Sequence, residues 1–182
     1  LYLIMQFYIK EGYEFGGVVG THMTNLAFEE KCKMQSIPFA RANVGDRYVS
    51  EELDRRKWIL GGENSGHILV KNLHSTGDGI ISALQVLSYL VKNKKSLKSA
   101  LTEIQLYPQI LINIPTENKV NLKSKTVKNA IKESEVIMKG KGRILIRASG
   151  TQPLVRVMTE GPLRKDVLKA AKFLTEKIKE II

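Results

Sequence analysis

The stretch Arg147-Ala148-Ser149-Gly150-Thr151-Gln152-Pro153 concentrates groups that bind anions. An arginine offers a planar fork of donors that fits a phosphate. Ser149 and Thr151 add hydroxyls, and Gly150 lets successive backbone N–H groups converge on one anion. The apolar runs on either side read as strands, so the alternative reading is a polar hairpin turn. Arg156 follows on the second strand, between Leu154 and Met158. A charge there needs an anionic partner if that face is buried, and is a solvated arginine if the face is open. A second stretch, Gly61-Gly62-Glu63-Asn64-Ser65-Gly66-His67, has a different chemistry. Glu63 accepts hydrogen bonds and Ser65 donates and accepts them, which suits a neutral polyol. Gly66 and its fellow glycines let the backbone come close to a ligand. His67 is a candidate acid or base, histidine being the side chain type suited to proton transfer near neutral pH. The alternative is a strand connection with Glu63 solvated and His67 packed at a strand start.

The elements around these loops follow from periodicity. Leu1–Lys10 reads as the tail of a helix. Gly17–Gly20 and Pro38–Val44 read as strands, Pro38 being acceptable at a strand start. Between them a helix runs to about Lys33, with Thr24 as its candidate cap. Tyr48–Lys57 reads as a charged surface helix, and Trp58–Leu60 and His67–Val70 as two further strands. Asp78 is the expected N-cap of a helix over Gly79–Lys92. Its apolar residues Ile80, Leu84, Leu87 and Val91 lie three or four apart on one face. A boundary is expected near residues 100–106. Beyond it the order is strand (Gln109–Ile114), helix (Ser124–Ser134), strand (Gly142–Arg147), strand (Leu154–Glu160) and a last helix from about Pro162. Val127, Ala130 and Ile131 point inward from the first of these helices. Val167, Ala171, Leu174, Ile178 and Ile181 form the stripe of the second, with lysines opposite. The expected fold is therefore an α/β mixed-sheet domain followed by an α+β domain, an antiparallel sheet under two helices.

Composition sets the outer limits. With 182 residues, 43% hydrophobic and 26% charged, the chain has enough apolar content for folded cores, which excludes a disordered chain. Its apolar runs are too short and too charged to cross a bilayer, and no secretory signal is visible. One cysteine, Cys32, excludes an internal disulfide and points to a reducing, cytoplasmic setting. The net charge of +11 is uneven, with +8 on residues 101–182, where 16 basic residues face 8 acidic ones. A field of that sign attracts phosphates of any kind. The lysine-rich last helix makes a basic nucleic-acid-binding module a competing idea. The lysines lie opposite an apolar stripe, however, and no aromatic-interleaved basic patch accompanies them. The expected partners thus include neither nucleic acid nor membrane.

Several motifs in one order carry a resemblance that spans nearly the whole chain. Gly45-Asp46-Arg47-Tyr48-Val49, Gly62-Glu63-Asn64-Ser65-Gly66-His67, Thr76-Gly77-Asp78-Gly79, Arg147–Pro153 and Arg156-Val157-Met158 resemble the bacterial phosphoglucosamine mutase family of the α-D-phosphohexomutase superfamily. The resemblance covers the last two of that family's four domains. It implies residues 1–14 as a remnant helix of the preceding domain, 15–103 as a sugar-binding α/β domain and 104–182 as a phosphate-binding α+β domain. It implies that Glu63, Ser65, Gly66 and His67 read sugar hydroxyls, and that Arg147, Ser149, Gly150, Thr151 and Arg156 hold the phosphate that is not being transferred. The implied substrates are glucosamine 6-phosphate and glucosamine 1-phosphate, interconverted through a phosphoserine enzyme and a 1,6-bisphosphate. Phosphomannomutase or phosphoglucomutase of the same superfamily is the neighbouring alternative. The phosphoserine and the Mg²⁺ of the full-length parent belong to domains absent here, and the four aspartates, Asp46, Asp54, Asp78 and Asp166, are too scattered for a Mg²⁺ loop. No metal is therefore expected on this chain. The missing N-terminal domains become its expected partner, and the isolated chain is expected to be inactive. Departures from the family pattern are Ala148, Gln152 and Asn43, where the family often has Pro, Glu and Lys.

Overall fold

Val18 and Val19 point to opposite faces of one strand, and both are fully buried, so that strand must be covered on both sides. A computed structural model describes residues 1–116, 121–149 and 152–181. In it the strand is β1 (Val18–Thr21), paired in parallel with β2 (Phe39–Ala42) and β3 (Leu60–Gly62). β4 (Ile68–Val70) runs antiparallel to β3, giving the order β2-β1-β3-β4. One face packs Val18, Leu60 and Val70 against α1 (Tyr2–Glu11), α2 (Leu26–Met34) and α4 (Gly79–Lys92), through Ile4, Met5, Tyr8, Phe28, Cys32 and Tyr89. The other packs Val19, Ala40, Ala42 and Leu69 against Val49 and Leu53 of α3 (Asp46–Arg56). The short α5 (Leu97–Ala100) adds Ala100 to the first of these clusters. This unit spans Leu1–Gln105, and a second spans Leu106–Ile182.

Several boundaries differ from the sequence reading for identifiable reasons. The expected remnant helix is in this structure an integral part of the first unit's core, with Tyr2 through Tyr8 buried. Asn25, not Thr24, caps α2 by accepting from the Ala27 N–H at 3.1 Å. The Thr24 hydroxyl is used instead to accept from the Thr21 N–H at 2.8 Å. Trp58 lies before β3 rather than within it, because its ring packs over the space beside Gly16 and Gly17. Asp78 caps α4 as expected, accepting from the Ile81 N–H at 2.8 Å. The face of α4 carrying Ile80, Leu84, Leu87 and Val91 is the outward one, each residue more than half exposed. Ser82, Val86, Tyr89 and Leu90 supply the packed face. Cys32 is buried beside the Met5 sulfur at 3.6 Å. Burial, aided by the charge of Glu29, pushes its thiol up to about 12, which removes the thiolate needed for redox chemistry.

The second unit is an antiparallel sheet of β5 (Gln109–Pro115), β7 (Leu154–Glu160) and β6 (Arg143–Ala148), with β7 in the middle. α6 (Lys125–Ile137) and α7 (Arg164–Lys179) cover one face, packing Val127, Ala130, Leu174 and Ile178 against Ile114, Val155 and Val157. Val167, Ala171, Leu174 and Ile178 of the α7 stripe are buried as expected, and Ile181, past the helix end, is partly buried. Lys165, Lys169, Lys172 and Lys179 lie outward, as on an ordinary solvated helix face. Glu160 is fully buried and ties the three strands together. It accepts from Arg143 Nε at 2.7 Å and Gln109 Nε2 at 3.2 Å, both residues being its register partners. The architecture is the expected α/β mixed-sheet unit followed by an α+β unit. Among the described residues, no helix is long and apolar enough to cross a membrane.

Candidate functional site

Three parallel strands end at Thr21, Ala42 and Gly62, and the segments that leave them meet. In open α/β sheets, ligands bind beyond the carboxyl ends of the strands, where successive connections pass to opposite faces. Here the connections are α2 on one face and α3 on the other. The β3–β4 loop is latched to both neighbouring segments. Glu63 Oε2 accepts from the Gly45 N–H at 2.7 Å, and Asn64 Nδ2 donates to the Met23 carbonyl at 2.7 Å. The loop is closed internally by Glu63 N–H to His67 O at 3.0 Å and Gly66 N–H to Glu63 O at 3.1 Å. Gly66 sits at φ +93°, a conformation that favours glycine. Ser65 is exposed at the tip.

His67 stands on Gly77. A Cβ at position 77 would lie 2.3 Å from the imidazole Nε2, so only a glycine leaves room for the ring. The same Nε2 is 3.5 Å from Asp46 Oδ2, within ion-pair range. It has no hydrogen-bond partner and is shielded from water, and the separation is too long for a well-formed bond. The segment after β1 is held from below by Arg41. Its Nη1 donates to the Thr21 and Thr24 carbonyls, both at 2.8 Å, while Nε and Nη2 reach Glu29 Oε2 at 2.9 and 2.6 Å. Glu63, His67 and Asp46 thus come together, with Ser65 on the same loop. The charges of this group are carboxylates, which suits hydroxyls better than phosphate. Asp46, Gly77 and Arg41 were not singled out from sequence for these roles. The available signal for Arg41 was a charge inside an otherwise apolar four-residue strand. A cavity of about 240 Å³ lined by Asp46, Arg47, Ser75 and Thr76 adjoins the group. A larger recess of about 500 Å³, lined by Phe15, Gly16, Ile37 and Ile59, opens at the other end of the strands. Volume alone therefore does not locate the site, and the converging polar groups do.

In the second unit, Arg147 of β6 and Arg156 of β7 are register partners, and Asn113 of β5 is the next residue across the sheet. Val155 and Val157 face the helices, so Arg156 lies on the opposite face. It is partly exposed, and its Nε is shielded with no hydrogen-bond partner. The described ends of the β6–β7 connection are bonded to one another. Ser149 N–H donates to Leu154 O at 2.9 Å, and the Gln152 N–H to Ser149 Oγ at 3.3 Å. Gly150 and Thr151 lie outside the described residues. Two guanidiniums on register-paired residues, with Ser149 following two positions after Arg147, are an arrangement that suits an anion. Among the described residues, no three His, Cys, Asp or Glu side chains stand close enough to hold a metal ion.

Residues 1–107 match the family described as phosphoglucomutase/phosphomannomutase, alpha/beta/alpha domain III, and residues 111–177 match its C-terminal domain. Phosphoglucosamine mutase of Polynucleobacter asymbioticus is 48% identical over 97% of this chain and 40% of its own length. That of Proteus mirabilis is 45% identical over 100% of this chain and 41% of its own length. The chain thus spans about two-fifths of the length of the curated relatives it matches. Among solved structures, N-acetylphosphoglucosamine mutase of Aspergillus fumigatus, in complex with GlcNAc-6P and magnesium, superposes with a TM-score of 0.73. It is 19% identical and covers 97% of this chain and 44% of its own. That likeness shows the fold.

Proposed function

Because the chain belongs to the phosphoglucomutase/phosphomannomutase family, as its domain III followed by its C-terminal domain, we propose that it is the substrate-holding part of a phosphoglucosamine mutase. The carrying observation is the chemical division between the two units. One gathers carboxylates, a hydroxyl and an imidazole, and the other sets two arginines side by side. A phosphosugar has the same division, a neutral polyol with a charged end. On this reading Glu63, Ser65, Gly66 and His67 read the hydroxyls of glucosamine 6-phosphate or glucosamine 1-phosphate. Arg147, Ser149, Gly150 and Thr151 hold the phosphate that is not being transferred, and Arg156 stands beside them. The naming of the relatives as phosphoglucosamine mutases supports glucosamine over mannose or glucose as the sugar.

The chemistry is a double phosphoryl transfer, which depends on positioning and charge stabilisation. This chain contributes the positioning. Glu63, with one oxygen committed to the Gly45 N–H, presents a fixed acceptor, and the imidazole of His67 stands beside it with the Asp46 carboxylate 3.5 Å from Nε2. The phosphoserine and the Mg²⁺ of the transfer lie outside these 182 residues on this reading, in the domains with which the chain works in a cytoplasmic enzyme. An NMR titration of the chain tests the assignment. Inorganic phosphate is expected to shift the amides of Arg147 and Ser149. Glucosamine 6-phosphate is expected to shift Glu63–His67 as well, and to be recovered unconverted. Absence of shifts with both ligands at millimolar concentration overturns the assignment, as does a phosphosugar that never perturbs Glu63–His67.

A further inference from the structure

Arg41 is the charged residue of β2, a strand otherwise made of Phe39, Ala40 and Ala42. Its side chain is only 16% exposed, and a charge taken that far out of water needs close partners. They come from two directions. Nη1 donates to the Thr21 and Thr24 carbonyls, both at 2.8 Å, while Nε and Nη2 donate to Glu29 Oε2 on α2. A guanidinium holds its donors in a rigid fork, so these bonds fix the turn between β1 and α2 relative to the helix. The turn is also bonded within itself. Thr21 N–H donates to Thr24 Oγ1 at 2.8 Å, Thr24 N–H to Thr21 O at 3.0 Å, and Met23 N–H to Thr21 Oγ1 at 3.1 Å. β1 and β2 are paired in register up to Thr21 and Ala42, and the His22 N–H extends the ladder to Ala42 O. The sheet therefore closes without the guanidinium. What Arg41 adds is the placement of the Met23 carbonyl, which lies between the two carbonyls it grips and accepts from Asn64 Nδ2 at 2.7 Å.

We propose that Arg41 is a positioning residue for the β3–β4 loop, acting on Glu63 and Ser65 through the Met23 carbonyl and Asn64. This rests on the reading that the loop binds sugar hydroxyls, and it adds what sets the loop's geometry. Asn64 stands between Glu63 and Ser65 in the chain, and its bond to Met23 joins segments 41 residues apart. The loop's other latch runs from Glu63 Oε2 to the Gly45 N–H. The two latches are not equivalent. The Gly45 latch uses the reading carboxylate itself. The Asn64 latch uses a neighbouring side chain, seated on a turn that Arg41 holds. Hydrogen bonds weaken steeply with distance and angle, so a loop that drifts from this seat reads hydroxyls poorly. Among the described residues, the bonds of Arg41 go to the turn and to α2. It sets the affinity of the loop from a distance.

The test uses the complete chain and its Arg41→Met, Arg41→Lys and Asn64→Ala variants, with glucosamine 6-phosphate and with inorganic phosphate. In the ligand-free chains, Arg41→Met is expected to move the amide resonances of Asn64 and Ser65 and to speed their hydrogen exchange, as Asn64→Ala does for Ser65. Glucosamine 6-phosphate affinity is expected to fall roughly tenfold in either variant, the scale of one neutral hydrogen bond, with inorganic phosphate affinity unchanged. The double variant of Arg41→Met and Asn64→Ala is expected to lose no more than either alone, because both act through one carbonyl. Arg41→Lys keeps the charge but not the fork. It is expected to move the same amides less and to recover part of the affinity, and it serves in place of Arg41→Met if that variant does not fold. Asn64→Ala alters an exposed side chain and reads the latch directly. A purely structural arginine would lower the melting temperature without moving the loop amides or the ratio of the two affinities. Unmoved loop amides, undiminished glucosamine 6-phosphate affinity or additive losses in the double variant overturn the positioning role and leave the functional reading standing. An unaltered chain that does not bind glucosamine 6-phosphate overturns both.

Discussion

Truncating Glu160 to alanine is expected to remove about 3–5 kcal/mol from the stability of the second unit, the range for breaking a buried ion pair by deleting one partner. The carboxylate is fully buried and joins Arg143 on β6 to Gln109 on β5 from the central strand β7. Its removal takes the carboxylate from a guanidinium only 19% exposed and opens a void across all three strands. Domain stabilities of about 5–15 kcal/mol make such a loss a large fraction of the total. Glu160→Gln keeps the shape and an acceptor for Arg143 Nε, so it is expected to lose much less. Urea unfolding followed separately in the two units checks this. The second unit should shift to lower denaturant while the first, with its own core, stays in place. Equal, small effects of alanine and glutamine would show that the pair contributes little beyond its packing.

The second large effect concerns binding. On the proposed function, Gly77→Ala is expected to weaken glucosamine 6-phosphate binding roughly tenfold, equivalent to about 1.4 kcal/mol. The new methyl would lie 2.3 Å from His67 Nε2, and the ring, at the end of a mobile side chain, must swing off its seat. No backbone strain accompanies the change, because Gly77 is not among the positive-φ glycines. The fold should therefore survive while the imidazole leaves Asp46. His67→Ala is expected to lower affinity by a similar factor, and the double variant by no more than either alone, since both act through one ring. Inorganic phosphate affinity should be unchanged in all three. Additive losses in the double variant would mean that Gly77 serves the site by some other route.

Both expectations use contacts that differ in how well the sequence displays them. Local periodicity placed the stripes of α6 and α7 and the cap at Asp78, because each depends on residues within a turn or two of one another. In α4 the same logic identified a face without identifying what it packs on. Both sides of that helix are apolar, and the buried one is that of Val86, Tyr89 and Leu90 rather than Ile80, Leu84, Leu87 and Val91. At residues 24 and 25 two good capping types stand side by side. Asn25 takes the helix because Thr24 is engaged with Thr21. Glu63 and Ser65 stand out in the sequence as a candidate hydroxyl-reading pair, but the Gly45 latch, the Asp46 neighbour and the Gly77 seat do not. Each joins segments brought together only by the parallel sheet. The two arginines were likewise visible singly. Their direct opposition depends on strand register, which the alternation of side chains leaves open.

The two groups of polar residues also differ in how the chain must close to form them. Everything that sets Arg147 against Arg156 lies in the single hairpin Arg143–Glu160, whose ends meet through neighbouring residues. The group proposed to read hydroxyls is drawn from Met23, Gly45, Asp46, Glu63, His67 and Gly77, so several loops must be closed before the last of its contacts exists. Loop closure costs little extra as a loop lengthens, about 0.6 kcal/mol per doubling, but every closure must be made in the right register for the set to be complete. The arginine pair is therefore a local object, tolerant of change elsewhere in the chain. The cluster of Glu63, His67 and Asp46 is a product of the entire first sheet, and an insertion in any of its connections displaces one corner of it.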